Sequence, residues 1–226
     1  MSTRIIMVYS RFERFWHWTQ MTLIFALLFT GLAVRGVHGM IGFDTAVTVH
    51  TWCAIALIAL WLLAIFWHFT TGTWRHYLPT TQGLWAVARF YAWGIFKGEH
   101  HPYRKAYWRK HNPLQALAYL SLKLVLFPAV WLSGLLYLAY NFWGSAGGAL
   151  GWVAAVHVLS AYAILAFVIA HIYLLTTGHS FAAHVKPMLT GYDEVDLTPA
   201  EEAYLRESGA VAMKESRRGA GKRDAM

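Results

Sequence analysis

Apolar residues in this chain come in long unbroken runs. Residues 15–34 form a run of 20 without an acidic or strongly basic side chain, and residues 45–74 form another of 30. After Lys123 the next such side chain is Lys186, leaving 62 residues free of them. A helix needs about 20 apolar residues to cross the hydrocarbon core of a bilayer. The last stretch therefore holds the rest of one crossing and the whole of a second. The pattern predicts four spans, over 15–34, 47–69, 113–140 and 150–177. Pro113 suits a first helical turn and Gly178 a helix stop. Pro128, inside the third span, removes a backbone donor and predicts a kink.

The connection between the second and third spans is long. Leu84, Val87, Ala88, Tyr91 and Ile95 recur there at helical spacing, with Arg89 and Lys97 elsewhere on the wheel, which predicts a helix lying on the membrane surface. After Tyr192 the chain mixes eight acidic with six basic residues and ends in SRRGAGKRDAM. That composition reads as a largely disordered tail over 193–226, without a second folded domain. The expected fold class is an all-α integral membrane protein, with a four-helix transmembrane bundle over 1–192 and a cytoplasmic interfacial helix.

Composition agrees with the runs. The chain is 58% hydrophobic and only 13% charged, against about 25% charged in soluble domains. The net charge of +8 follows topology and calls for no nucleic acid. Arg4, Arg11 and Arg14 precede the first span. Arg75, Arg89, Lys97, Arg104, Lys105, Arg109 and Lys110 lie between the second and third. The other two connections are nearly uncharged. This alternation puts both termini on the cytoplasmic side. The first run lacks a small-residue cleavage site and is long for a signal peptide, so it reads as retained. Cys53 is alone, which excludes a disulfide framework, a zinc cluster and covalent haem attachment.

The candidate chemistry lies in the histidines. His157 and His171 share the fourth span, 14 positions apart, and so project from nearly one face about 21 Å apart along the axis. In a core about 30 Å thick this places one in each leaflet. His50 is level with His157 near the outer end of the second span, and His17 is near the level of His171. Two pairs result, one toward each side of the membrane. Paired histidines on facing helices are how a bundle holds haem iron, and two imidazoles fill both axial positions. Such a haem passes electrons and does not bind oxygen. The competing account makes them interfacial histidines bonded to neighbouring helices; four that pair by depth on a shared face favour ligation. His68 faces the same way as His50 and competes with His17 as partner to His171. His38, His76, His100, His101, His179 and His184 fall in loops or at interfaces.

On these residues the chain resembles the di-haem cytochrome b subunit family. That family includes the gamma subunit of formate dehydrogenase, the b-type cytochrome of nickel-iron hydrogenase and thiosulfate reductase cytochrome b. The resemblance rests on ERFWHW around His17, on His50 opening the second span, and on His157 and His171. It covers nearly all of residues 9–192. It implies that two b haems are bound, one by His50 with His157 and one by His17 with His171. It also implies a quinone (menaquinone or ubiquinone) beside the inner haem, near Asn112 and Gln115. His111 adjoins Asn112 and, by its own chemistry, suits a proton relay from the cytoplasm. Asn112, Gln115, Tyr119 and Lys123 share one broad face. Amide, phenol and histidine groups suit quinone carbonyls and their protons. Asn112 equally suits an N-cap for the helix starting at Pro113, and one amide oxygen cannot fill both roles. Lys123 has three readings: snorkelling, pairing with a haem propionate, or bordering the quinone. Gly31 and Gly134 permit close approach of a porphyrin or of a neighbouring helix.

The implied function is an electron-transfer subunit of an oxidoreductase complex in the bacterial inner membrane. Its implied partner is a periplasmic redox subunit, an iron-sulfur protein or multihaem c-type cytochrome, with a molybdenum or nickel-iron catalytic subunit beyond it. No motif for substrate catalysis is present in the chain itself. Two rival classes are a histidine-lined transporter for metal ions or protons and a cofactor-free anchor. The first is weakened because residues 15–34, 45–74 and 124–185 hold no carboxylate, and the second by the cost of four buried histidines.

Overall fold

The computed structural model describes residues 2–100, 102–103, 111–143, 148–176, 181–209 and 212–215. Four of its helices are long and apolar enough to cross a membrane: Arg11–Val34, Phe43–Thr71, Pro113–Leu138 and Ala149–Thr176. Each matches a predicted span to within a turn or so at either end. Leu62, Phe66, Leu124, Leu159 and Ile169 stand exposed along them, as lipid-facing side chains must. The protein is mostly helical and multi-pass.

The elements run β1 (Ser2–Met7), α1 (Arg11–Val34), α2 (Phe43–Thr71), α3 (Leu84–Ala92), α4 (Pro113–Ser121), a π-helical turn (Leu122–Leu126), α5 (Phe127–Leu138), α6 (Tyr140–Trp143), α7 (Ala149–Thr176), α8 (Phe181–Thr190), β2 (Tyr192–Leu197), α9 (Pro199–Ser208) and β3 (Met213–Glu215). Pro128 sits in the first turn of α5. A proline has no N–H to give to the carbonyl four residues back, and its ring crowds that carbonyl. The helix answers with a wide turn immediately upstream, where the Phe127 N–H reaches the Leu122 carbonyl, five residues back. The predicted distortion is thus a π turn within a continuous span.

The chain divides into two compact units. The apolar unit comprises Trp16–Trp74 and Ala118–Leu174. Its core is Leu122, Phe127 and Ile164, packed with Ile24, Trp61, Trp131 and Phe167. Trp61 meets Phe127 edge to face at 4.7 Å, and its indole N–H donates to the Gln20 Oε1 at 3.3 Å. Ile164 lies seven residues from both His157 and His171 on the same face, so this core separates the two histidine levels.

The second unit overturns part of the reading of the tail. Residues 192–197 form β2, antiparallel to β1, with Ser2 opposite Leu197 and Met7 opposite Tyr192. β3 pairs with the other edge of β1, giving the order β2-β1-β3. Ile6, Val195, Leu197 and Leu205 close a small buried core. Part of the charge that suggested disorder is paired: Glu202 accepts from the Ser2 hydroxyl, from Arg4 at 2.7 Å and from Arg206 at 2.7 Å. α9 begins with a capping box, Thr198 and Glu201 each accepting the other's backbone N–H. A second box, Ser10 with Glu13, opens α1. Gly191, at φ +90°, joins α8 to β2; a Cβ there would lie 2.7 Å from the Tyr9 carbonyl oxygen. A small α/β unit therefore exists where none was expected, and residues 193–209 are ordered. The SRRGAGKRDAM segment, Gly178, His101, His179, Arg104, Lys105, Arg109 and Lys110 lie outside the described residues.

In the same unit, α3 forms where the helical spacing predicted it. Val87 and Phe90 are buried while Trp85 is 81% exposed. A tight turn over Gly94–Lys97 ends the stripe short of the expected continuous helix, and Arg89 pairs with Glu99 at 2.7 Å.

Candidate functional site

His50 on α2 and His157 on α7 face one another, ring centroids 6.2 Å apart and planes inclined by 66°. Metal–nitrogen bonds to histidine are about 2 Å, which puts two imidazoles opposed across one metal roughly 6 Å apart, centroid to centroid. Each ring is held from behind by a neighbouring helix. The Nδ1 of His157 lies 2.9 Å from the Val130 carbonyl oxygen and 3.1 Å from the Ser133 hydroxyl on α5. A carbonyl only accepts, so Nδ1 carries the proton and Nε2 keeps its lone pair. On α1 the Thr30 hydroxyl lies 2.9 Å from the Nδ1 of His50, and the Leu27 backbone adds a second hydrogen bond to the same ring.

Glycines follow both hydroxyl residues. A Cβ at Gly31 would lie 3.3 Å from the His50 Cε1, and one at Gly134 would lie 3.2 Å from the His157 Cε1. Bare backbone lets each imidazole lie against its neighbouring helix. Beside the pair is a cavity of about 690 Å³, lined by Gly31, Arg35, His50, Gly134, Tyr137 and His157 among mostly apolar residues. That falls within the roughly 300–1,000 Å³ of cofactor pockets. Among the described residues no three histidine, cysteine or carboxylate side chains gather as a metal cage. A porphyrin would supply four further ligands to a metal held here by two imidazoles.

The second pair is built differently. His17 lies within electrostatic range of His171, and His171 is stacked on Phe167 at 5.8 Å. The Nδ1 of His17 is buried and has no hydrogen-bond partner. His68 is also buried, with Nδ1 2.5 Å from the Ala64 carbonyl on its own helix and its ring edge-on to Trp16 at 5.1 Å. Lys123, within the π turn, holds its ammonium 5.0 Å over the Trp16 ring.

Asn112 and Gln115 form a third capping box. The Asn112 Oδ1 accepts the Gln115 N–H at 2.8 Å, and the Gln115 Oε1 accepts the Asn112 N–H at 3.1 Å. The Asn112 side-chain amide also donates to the Tyr91 hydroxyl at 3.2 Å, and burial raises the Tyr91 phenol above its ordinary pKa. Of the two roles open to the Asn112 oxygen, the cap is the one it fills. His111 lies beside Tyr77, ring centroids 5.2 Å apart and planes tilted by 38°. The residues that sequence reasoning missed are Thr30, Ser133 and Arg35. The signal for the first two was present, since each is a hydroxyl residue placed directly before a glycine singled out for close approach.

The family model for prokaryotic cytochrome b561 matches residues 8–191. The chain is 34% identical over 193 residues to the protein named "Putative cytochrome YdhU" of Escherichia coli (strain K12), an alignment covering 83% of this chain and 74% of that relative. No solved structure matches the chain. Opposed imidazoles beside an apolar cavity, inside apolar spanning helices, are the chemistry such a match requires: the chain belongs to the prokaryotic cytochrome b561 family, membrane proteins that carry electrons on b-type haem.

Proposed function

We propose that this chain carries two b haems, one between His50 and His157 and one between His17 and His171, and moves electrons between a periplasmic redox protein and quinone. The observation that carries the reading is the first pair: two imidazoles 6.2 Å apart, with glycine backbone behind each and a cavity beside them. Haem supplies reversible one-electron chemistry when bound. The chain's own residues supply Nε2 lone pairs on His50 and His157, held by Nδ1 hydrogen bonds from the other side. Arg35, at the cavity, is placed to meet carboxylates of a bound macrocycle. Seven residues separate Ile164 from each fourth-span histidine, which keeps two cofactors apart while leaving them within one bundle.

Quinone exchange is assigned to the region of His111, Asn112 and Gln115. Quinone carbonyls need donors, so the amide nitrogens serve there while the amide oxygens cap α4. Basic residues flanking the first span and between the second and third support cytoplasmic termini in a bacterial inner membrane. The short connections on the opposite side then form the docking surface for an iron-sulfur or multihaem partner.

The test is haem stoichiometry with single-histidine variants. The purified protein should hold two haems per chain with bis-histidine spectra. His50→Ala or His157→Ala should each remove one, and His17→Ala or His171→Ala the other. One haem or none in the unaltered protein refutes the reading.

A further inference from the structure

We propose that Thr30 and Ser133 are positioning residues that fix the rotation of the His50 and His157 rings, and so set the electronic character of the haem between them. The inference rests on the ligand assignment above and goes beyond it.

The two arrangements match in construction although they belong to different helices. The Thr30 hydroxyl donates to the carbonyl of Ala26, four residues back, at 2.7 Å. The Ser133 hydroxyl donates to that of Ala129, also four residues back, at 2.6 Å. With its single hydrogen committed to its own helix, each hydroxyl presents a lone pair to the Nδ1–H of the facing histidine. The Val130 carbonyl, three residues before Ser133, lies 2.9 Å from the same nitrogen of His157, and the Leu27 backbone, three residues before Thr30, hydrogen-bonds to the His50 ring. Two acceptors on one rigid helix define a direction for the N–H, so the ring is fixed about its Cβ–Cγ bond as well as in tautomer. Both hydroxyl residues are buried, Thr30 at 2% and Ser133 at 4% exposure, so water does not compete for the same proton. A serine or threonine bonded only to its own helix would need no histidine opposite; both of these have one.

The consequence is the 66° between the ring planes. Axial imidazoles close to perpendicular leave the iron d orbitals of ferric haem nearly degenerate, which gives a strongly anisotropic low-spin resonance. Parallel rings give a rhombic one. One haem of this protein should therefore show the anisotropic form.

The experiment is electron paramagnetic resonance and redox titration of the full-length protein in detergent. It compares the unaltered chain with Thr30→Val, Ser133→Ala, Thr30→Ser and Ser133→Thr. The unaltered chain should show the anisotropic signal. Thr30→Val and Ser133→Ala should each move that signal toward rhombic. They should also shift that haem's ferric–ferrous equilibrium two- to tenfold toward ferrous, roughly 20–60 mV for one electron, leaving the other haem unchanged. Thr30→Ser and Ser133→Thr should restore both. Loss of this haem from Thr30→Val but not from Thr30→Ser supports the same role. Unchanged signals and potentials in Thr30→Val and Ser133→Ala overturn the proposal, as does a rhombic signal alone in the unaltered chain. Full haem content in His157→Ala would instead overturn the ligand assignment, so the two failures are told apart.

Discussion

The two histidine pairs share a bundle but differ in how they are held. His50 and His157 each face a carbonyl, a hydroxyl and a bare glycine on a neighbouring helix. His17 has a buried Nδ1 without a hydrogen bond, and its partner His171 leans on an aromatic ring. Orientation by hydrogen bonds makes an imidazole a better-defined and more basic ligand. On the proposed reading the first pair is therefore organised in advance of its haem, whereas the second relies on packing.

Substitutions can break this contrast directly. The largest effect is expected from removing ligands: His157→Ala should halve the haem content, measured by pyridine haemochrome, while His68→Ala leaves it whole. Loss of haem in His68→Ala would move the second pair from His17 to His68. Next come the glycines. Alanine in place of glycine ordinarily favours a helix by roughly 0.5–1 kcal/mol. Here the added methyl meets an imidazole at 3.2–3.3 Å. Overpacking of about 1–3 kcal/mol should weaken haem binding roughly five- to hundredfold at the His50/His157 pair alone. Gly134→Ala with normal haem titration would reduce the glycine to ordinary helix packing.

Two smaller effects should leave both pairs alike. Asn112→Ala should cost α4 about 1 kcal/mol through its lost cap, read by thermal denaturation, and should slow quinone exchange. Asn112→Asp keeps a capping oxygen and loses the amide donor, so it should spare stability and still slow exchange. The smallest concerns Glu202, whose carboxyl is held down from 4.5 to about 2 by hydrogen bonds from Ser2 and Arg4, with Arg206 adding to them. A lowered carboxylate contributes stability that is present above its ordinary pKa and fades as pH falls toward its folded value. Amide protection in β1 and β2, taken relative to the intrinsic exchange rate at each pH, should therefore fall between about pH 4.5 and 2. In Glu202→Gln that dependence should flatten.

The spans were legible because lipid imposes a crude requirement, about 20 apolar residues in a row, and charge interrupts those rows cleanly. The histidine levels followed from helical rise alone. The sheet was hidden because β1 and β2 lie at opposite ends of the chain, and the acidic residues of YDEVDL masked the inward alternation of Val195 and Leu197. Thr198 with Glu201 is a start signal that the charged surroundings obscured. Thr30 and Ser133 were hidden for another reason. A hydroxyl inside an apolar helix is normally satisfied by its own backbone, so sequence alone gives it no outward task until a histidine is found opposite. Asn112 shows the opposite case, where the plain capping role was visible from the start and the structure fills it.

The π turn at Leu122–Leu126 also sets the phase of the third span. Each residue turns an α-helix by about 100°, so a one-residue difference in how the ladder closes swings everything beyond it to a new azimuth. Ser133 and Gly134 lie beyond it, and their bearing on His157 presumes the wide turn. Deleting one residue from 122–126 would leave a straighter, equally greasy helix of nearly the same length. It would carry the serine and glycine about a quarter of a turn away from the imidazole they now support. Proline at 128 holds that turn open, and in this sense a residue without an N–H governs where a histidine on another helix, 29 residues further along the chain, can point.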